Sequence, residues 1–223
     1  YNFLMKSNKN YKPASKAGVS VAILGASGYT GLETIRILLK HPKAKIKVLI
    51  GEKTRGKSLG EISSSFSYVE LPKIVSLQEA SFKGIDVIFS CMPSGKLSSI
   101  VDILPENVAI IDLSADFRIK DINLYENYYG IHENKNFLSK FTYGLSEICR
   151  KEIKKSRFIS CPGCYPTSTL LPLIPIIKSG IVTMKDIIVD SKSGITGAGR
   201  NLKHELLFAD NTSHLKAYGQ GKH

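Results

Sequence analysis

The stretch "VSVAILGASGYTGLETIRILLKHP" constrains this chain more than any other. Val19 to Leu24 is a short apolar run with β-branched residues that stops at Gly25, the pattern of a buried parallel strand. Leu32, Ile35, Leu38 and Leu39 then recur at helical spacing until His41-Pro42 ends the pattern. Between the two lie Gly25, Gly28 and Gly31, a G-x-x-G-x-x-G arrangement. The first glycine of such a loop allows a sharp strand-to-helix turn, the second lets backbone N–H groups approach a pyrophosphate, and the third lets helix and strand pack closely. Three glycines alone also suit a turn with no ligand. Their place between a strand and a helix points to a dinucleotide.

The rest of the first half repeats the alternation. "AKIKVLIG" reads as a second strand, "GIDVIFSCMPSG" as a third ending in a Pro- and Gly-bearing loop, "SSIVDIL" as a short helix and "NVAIIDLSADFR" as a fourth strand. This pattern predicts an α/β chain: a Rossmann-like, doubly wound parallel sheet with helices on both faces. After Phe117 the character changes, with Tyr125, Tyr128, Tyr129 and Tyr143 punctuating a polar, irregular stretch. A strand-like "RFIS" follows, then a Cys pair and a Pro-interrupted apolar segment to Lys178. A domain boundary is expected near Cys161, with 1–17 a flexible lead-in, 18–161 the nucleotide-binding domain and 162–223 the start of an α+β catalytic domain. Within the latter, Ile187 to Lys192 reads as a strand.

Composition narrows the functional classes. Of the 223 residues 43% are hydrophobic and 22% charged, ordinary for a globular chain with a core. No run of about 18 apolar residues offers a membrane span. Residues 1–18 are Lys-rich and polar without an apolar signal core, which leaves an organelle transit segment open and makes a cytoplasmic location the expectation. The net charge of +12 comes from lysines spread along the chain, without an Arg-rich run or a nucleic-acid-binding motif. A positive field that attracts anionic small molecules fits better than a nucleic-acid partner.

"SCPGCYPTST" sets Cys161 and Cys164 around Pro162-Gly163. A dithiol oxidoreductase carries such a pair early, after its first strands; here it follows a complete nucleotide-binding unit. Zinc needs four ligands, and Cys91, Cys149 and the five histidines supply no second pair at ligand spacing, so no metal is expected. A single nucleophile remains. Pro166 suits a first helical turn, and a thiol at a helix N-terminus meets the positive end of the helix dipole. Pro172 and Pro175 lie inside that helix, which must therefore kink or stop short. A buried structural thiol is the plainer alternative for Cys164. With a nicotinamide cofactor, a nucleophilic thiolate suggests attack on an activated acyl group and reduction of the thioester to an aldehyde.

Cofactor choice turns on "IGEKTRGK" after the second strand. Glu52 suits a ribose 2′-hydroxyl and hence NAD, whereas Thr54, Arg55 and Lys57 suit a 2′-phosphate. The balance predicts NADP(H).

"GASGYTG", "IIDLSADFR", "YGLSE", "CPGCYPT" and "SGITGAGR", in this order and spacing, resemble the N-acetyl-gamma-glutamyl-phosphate reductases of arginine biosynthesis from Val19 to His223. "PGCYPT" with "SGITGAGR" sets that family apart from the related aspartate-semialdehyde dehydrogenases. The resemblance implies an oxidoreductase that converts an acyl-phosphate substrate, N-acetyl-glutamyl 5-phosphate, to the 5-semialdehyde with NADP(H), working as a homo-oligomer. It implies Cys164 as nucleophile and His223 as its acid/base partner. Gly25, Ala26, Ser27, Gly28, Tyr29, Thr30 and Gly31 would form the dinucleotide loop, with Pro93, Ser94 and Gly95 near the nicotinamide. Arg118 would face the anionic substrate, with Ser193, Gly194, Gly197 and Arg200 beside it. Ser94, Ser168 and Pro172 depart from the family's usual residues. The family's second domain continues beyond "AYGQGKH", so these 223 residues alone are expected to bind dinucleotide weakly, if at all, and to show no turnover. An aspartate-semialdehyde-dehydrogenase-like reductase and a non-enzymatic redox sensor using Cys161 and Cys164 are the alternatives.

Overall fold

Alternate residues of the first strand feed two different cores, which is why the sequence is apolar without a break from Val21 to Leu24. Val21 and Ile23 join Leu49, Ile74 and the helical Ile35 on one side of the sheet. Ala22 and Leu24 join Ile88, Ile110 and Phe158 on the other. A sheet covered on both faces needs such runs, and each fully buried Ile or Leu adds roughly 1.5–3 kcal/mol. The computed structural model describes residues 18–200, 204–211 and 215–217. Its strands are β1 (Val19–Leu24), β2 (Ala44–Ile50), β3 (Ile74–Val75), β4 (Val87–Ser90), β5 (Ala109–Asp112), β6 (Phe141–Tyr143) and β7 (Phe158–Ser160). They form one sheet in the order β3-β2-β1-β4-β5-β7-β6, and every pairing is parallel. The expected doubly wound α/β architecture is what the chain adopts.

Six α-helices lie among the described residues: α1 (Tyr29–Leu38), α2 (Leu59–Ile62), α3 (Ile122–Tyr129), α4 (Arg150–Ile153), α5 (Cys164–Lys178) and α6 (Phe208–Asn211). Helix α1 packs Ile35 into the first core and ends before His41-Pro42. The second face is covered differently from expectation. "SSIVDIL" forms no α-helix; it is a chain of tight turns in which Ile100 N–H reaches Leu97 O and Ile103 N–H reaches Ile100 O. Leu97, Val101 and Leu104 still point inward and are buried, so the apolar spacing does its work without helical hydrogen bonding. Strands β3 and β6, of two and three residues, are too short to show a period in the sequence.

One expectation for the last third needs correction. Residues 187–192 form no strand: no described strand lies beside them, and Ile188 is 92% exposed. Of the kink or early stop expected for α5, the early stop does not occur, since the helix runs fifteen residues through Pro172 and Pro175 to Lys178. Those prolines remove the N–H donors that would close the bonds to the carbonyls of Ser168 and Leu171. Helix α5 buries none of its residues. No helix among the described residues is long and apolar enough to cross a membrane.

Candidate active site

The strand order reverses at β1: β2 and β3 lie to one side, β4 and β5 to the other. Leu24 and Ser90, the last residues of β1 and β4, are in register there. Ligands of open parallel sheets bind in the crevice beyond such a point, at the carboxyl ends of the strands.

The glycine loop occupies this crevice, and the structure separates its three glycines by cause. Gly25 has φ +76°, and a Cβ on it would lie 2.6 Å from the Cys91 carbonyl oxygen. A Cβ on Gly31 would lie 2.3 Å from Gly25 O and 2.8 Å from Ala26 O. Both positions are closed by backbone. Gly28 is different: its nearest atom would be Gly25 O at 3.5 Å, so the chain itself does not require glycine there. It is the N-cap of α1, with no capping side chain and no acidic residue in the first turn. The N–H groups of Tyr29, Thr30 and Gly31 in that first turn have no intrahelical acceptor, and an uncapped helix start of this kind can accept an anion.

At the end of β2 the residues separate into structural and available ones. Glu52 accepts the Leu77 N–H at 2.9 Å through Oε1. Arg55 forms an exposed ion pair with Glu79. The Thr54 hydroxyl is buried without a partner. It stands 3.0 Å from where a Cβ on Gly51 would be, with the Ser27 hydroxyl at 3.6 Å from the same point. Ser27, Gly51 and Thr54 thus leave a small polar cradle beside the glycine loop, which fits the ribose end of a dinucleotide.

Beyond β4 the Pro93-Ser94-Gly95 turn is held from below. Gly95 N–H donates to Asp116 Oδ1 at 2.6 Å and Ser98 N–H to Oδ2 at 2.9 Å. Asp116 is fully buried. Its part was missed from the sequence, where "SADFR" points to Arg118; the signal that could have found it is a second carboxylate, Asp116, in the largely apolar "IIDLSADF".

Cys164 opens α5, one step after the N-cap Gly163, and its side chain is exposed. No side chain caps this helix either. Thr167 instead ties its own N–H (3.0 Å) and hydroxyl (2.8 Å) to Gly163 O. Arg118 lies under the same turn, donating from Nε to Cys161 O at 2.6 Å and from Nη2 to Leu113 O at 2.7 Å. A Cβ on Gly163 would come within 3.2 Å of its Nη1. Burial pushes the Cys161 thiol up to about 11, and burial does the same to Cys91. Of the later segment, Ser193, Gly194 and Gly197 form a local turn, closed by Gly197 N–H to Gly194 O at 3.0 Å. Arg200 reaches the glycine loop, donating to Ser27 O at 2.8 Å and lying over the Tyr29 ring. His223 lies outside the described residues. A cleft of about 920 Å³ on the outer side of α1, lined by Tyr29, Arg36, Phe66, Tyr68 and Thr196, contains neither the thiol nor the loop glycines. Strand-end geometry, not cleft volume, marks the site.

Asp112 sits between the glycine loop and the thiol. It is wholly buried, in register with Ser90 and Ser160 on its neighbouring strands. Burial raises its carboxyl to about 6, against the lowering effect of the Ser114 N–H and hydroxyl. An unfolded Asp titrates near 3.9, so between about pH 4 and 6 the folded chain holds a proton that the unfolded one has lost. This term favours folding below pH 4 and fades as pH rises through 6, by roughly 3 kcal/mol. Asp112→Asn removes it. The variant should therefore gain stability relative to the parent on going from pH 4.5 to pH 7 in thermal unfolding; a pH-independent difference would show that Asp112 is not raised.

The comparisons with known proteins fall along the same lines. The family description "Semialdehyde dehydrogenase, NAD binding domain" matches residues 20–156, and "Semialdehyde dehydrogenase, dimerisation domain" matches 164–223. An N-acetyl-gamma-glutamyl-phosphate reductase of Ehrlichia canis is 45% identical over 210 residues, covering 92% of this chain and 60% of that protein. A probable chloroplastic N-acetyl-gamma-glutamyl-phosphate reductase of Oryza sativa subsp. japonica is 42% identical over 202 residues, covering 90% and 49%. The chain thus spans about half to three-fifths of the length of these curated relatives. Among solved structures, aspartate semialdehyde dehydrogenase II of Vibrio cholerae aligns with a TM-score of 0.56 at 16% identity, over 73% of this chain and 43% of that one, a likeness of fold. The first match takes in the glycine loop and the switch-point crevice and the second begins at Cys164, so the chain belongs to the semialdehyde dehydrogenase family.

Proposed function

We propose that the chain carries the dinucleotide-binding and thiol-bearing parts of an NADPH-dependent reductase that converts N-acetyl-glutamyl 5-phosphate to the 5-semialdehyde, a step of arginine biosynthesis. The observation that carries this reading is the exposed Cys164 thiol at an uncapped helix N-terminus, at the carboxyl end of the sheet that also bears the glycine loop. The names of the relatives support the substrate. In this reading the Cys164 thiolate attacks the acyl carbon, a thioester C–S bond forms, and phosphate leaves with the electron pair of the broken C–O bond. When bound, the nicotinamide dinucleotide supplies the hydride that takes the acyl group to the aldehyde level. The α1 N-terminus and Ser27 to Gly31 hold the pyrophosphate, while Pro93 to Gly95 border the nicotinamide. Arg118 and the 193–200 segment serve the anionic end of the substrate, and His223 serves proton transfer. A homo-oligomer belongs to the same reading. Its support is the uncovered apolar residues Ile176, Ile181, Met184 and Ile188 and the dimerisation-domain match; a monomer in sedimentation at micromolar concentration would remove it.

Preference for NADPH over NADH follows from what surrounds the cradle. Glu52, the residue suited to a 2′-hydroxyl, is already committed to the Leu77 N–H, whereas Thr54 keeps a buried, unpartnered hydroxyl. Steady-state kinetics with both cofactors, on a chain completed to the length of its curated relatives, should give the higher kcat/KM for NADPH by about tenfold or more, the worth of one charge-assisted contact. Equal efficiencies would return Glu52 to the ribose.

A further inference from the structure

Hydride transfer requires two loops to be held in one register: the turn after β4 on the cofactor side and the turn before α5 on the thiol side. They leave different strands, with β5 between them. A misplacement of about 1 Å can cost two orders of magnitude in such a step. What joins them is the short segment after β5. Asp116 binds the first turn through both carboxylate oxygens, at Gly95 N–H and Ser98 N–H. Arg118, two residues on, binds the second through the carbonyl of Cys161.

The segment is itself fixed from three sides. Asp116 N–H donates to the Ser114 hydroxyl at 3.2 Å, and that hydroxyl donates to Asp112 Oδ2 at 2.8 Å. The Asp116 carbonyl pairs with Nε2 of the buried His132 at 2.8 Å. His132 Nδ1 accepts the Asn134 N–H, so Nε2 carries the proton and donates. Phe117, between the two charged residues, stacks on Phe141 at 4.0 Å and meets the His132 ring edge-on at 5.2 Å. The Tyr125 phenol is pushed up by burial and then by the charge of Asp116. An exposed turn cap would need none of this. Burying a carboxylate is costly unless its oxygens are hydrogen-bonded, and here both oxygens are used on one turn.

We propose that Asp116 and Arg118 are paired positioning residues: they set the distance between the cofactor-side turn and the Cys164 turn, acting through the backbone of Gly95, Ser98 and Cys161. This rests on the reductase reading for the identity of the two loops. It also gives Arg118 a task that does not depend on substrate.

The test uses the purified protein completed to the length of its curated relatives, with Asp116→Asn, Arg118→Lys and the double variant. The measurements are NADPH dissociation constant by fluorescence titration, alkylation rate of Cys164 by iodoacetamide, and thermal midpoint. An amide in place of the carboxylate sets an NH2 group against one of the two N–H donors. Asp116→Asn should therefore weaken NADPH at least tenfold and leave alkylation within about twofold. Lysine cannot span both carbonyls, so Arg118→Lys should change alkylation at least fivefold and leave NADPH affinity within about twofold. In the parent, bound NADPH should alter the alkylation rate; in the double variant it should no longer do so. Variants that move both readouts together, in step with a fall in midpoint, would reduce the segment to a stability element and overturn the proposal. So would unchanged NADPH affinity in Asp116→Asn. A parent completed to the length of its curated relatives that binds no nicotinamide dinucleotide would overturn the reductase reading itself, a result distinct from either.

Discussion

In a chain completed to the length of its curated relatives, Cys164→Ser is expected to lower reductase turnover by roughly a thousandfold or more, the scale seen when a covalent nucleophile is removed. A serine hydroxyl placed at the N-terminus of α5 has the geometry but not the nucleophilicity of a thiolate. Cys161→Ser should leave most of the activity. What Cys161 gives the turn is its backbone: its N–H donates to Asp112 O at 2.7 Å and its carbonyl accepts from Arg118. Neither changes with the side chain. Its own thiol, pushed up to about 11 by burial, is also a poor attacking group at neutral pH. Measurement of kcat with each variant separates the enzyme from the redox-sensor reading. Equal losses from both substitutions would favour a Cys161–Cys164 disulfide switch.

Gly31→Ala should be the most damaging single methyl in the dinucleotide domain. The added carbon would sit 2.3 Å from Gly25 O and 2.8 Å from Ala26 O, and these are main-chain atoms with little freedom. Gly25 cannot retreat, because its own N–H is bonded to Ile50 O and its Cβ side faces the Cys91 carbonyl. Helix α1 must then lift from β1, disturbing the contacts of Ile35. Overpacking of this kind costs roughly 3 kcal/mol, a fall of about 10 °C in thermal midpoint for a chain of this size. Dinucleotide binding should go with it. Gly28→Ala is the matched control: φ is −74° and the nearest atom lies at 3.5 Å, so the fold should be untouched while the dinucleotide loses its close approach. Thermal melts and NADPH titrations of the two variants check this. An unchanged midpoint for Gly31→Ala would mean that the loop relaxes more easily than its hydrogen bonds suggest.

Loop position already gave these two glycines different tasks, approach to a ligand for Gly28 and close packing for Gly31, but only the fold shows which backbone atoms enforce the difference. The same holds at the end of β2. Glu52, Thr54 and Arg55 could be recognised as candidates there, but only the fold shows Glu52 turned to Leu77 and Arg55 to Glu79. Short elements were lost for a related reason. Ile74–Val75 and Phe141–Tyr143 are strands because a neighbour offers them hydrogen bonds, and nothing local marks them. Conversely, 187–192 has the apolar, β-branched composition of a strand and lacks that neighbour among the described residues.

What the sequence determined by itself was whatever depends on near neighbours along the chain: apolar runs long enough for buried strands, the glycine spacing of the turn into α1, and the placing of Cys164 at a helix start. These are set by local sterics and periodicity, which a few adjacent residues decide. Only the tertiary structure decided that Asp116 and Arg118 hold two loops that the chain reaches 21 residues earlier and 43 residues later. Such contacts are long-range pairings of side chain with backbone, made where strand order brings the ends of β4, β5 and β7 side by side. Every backbone offers the same N–H and C=O groups, so no residue type announces which of them a distant carboxylate or guanidinium will find.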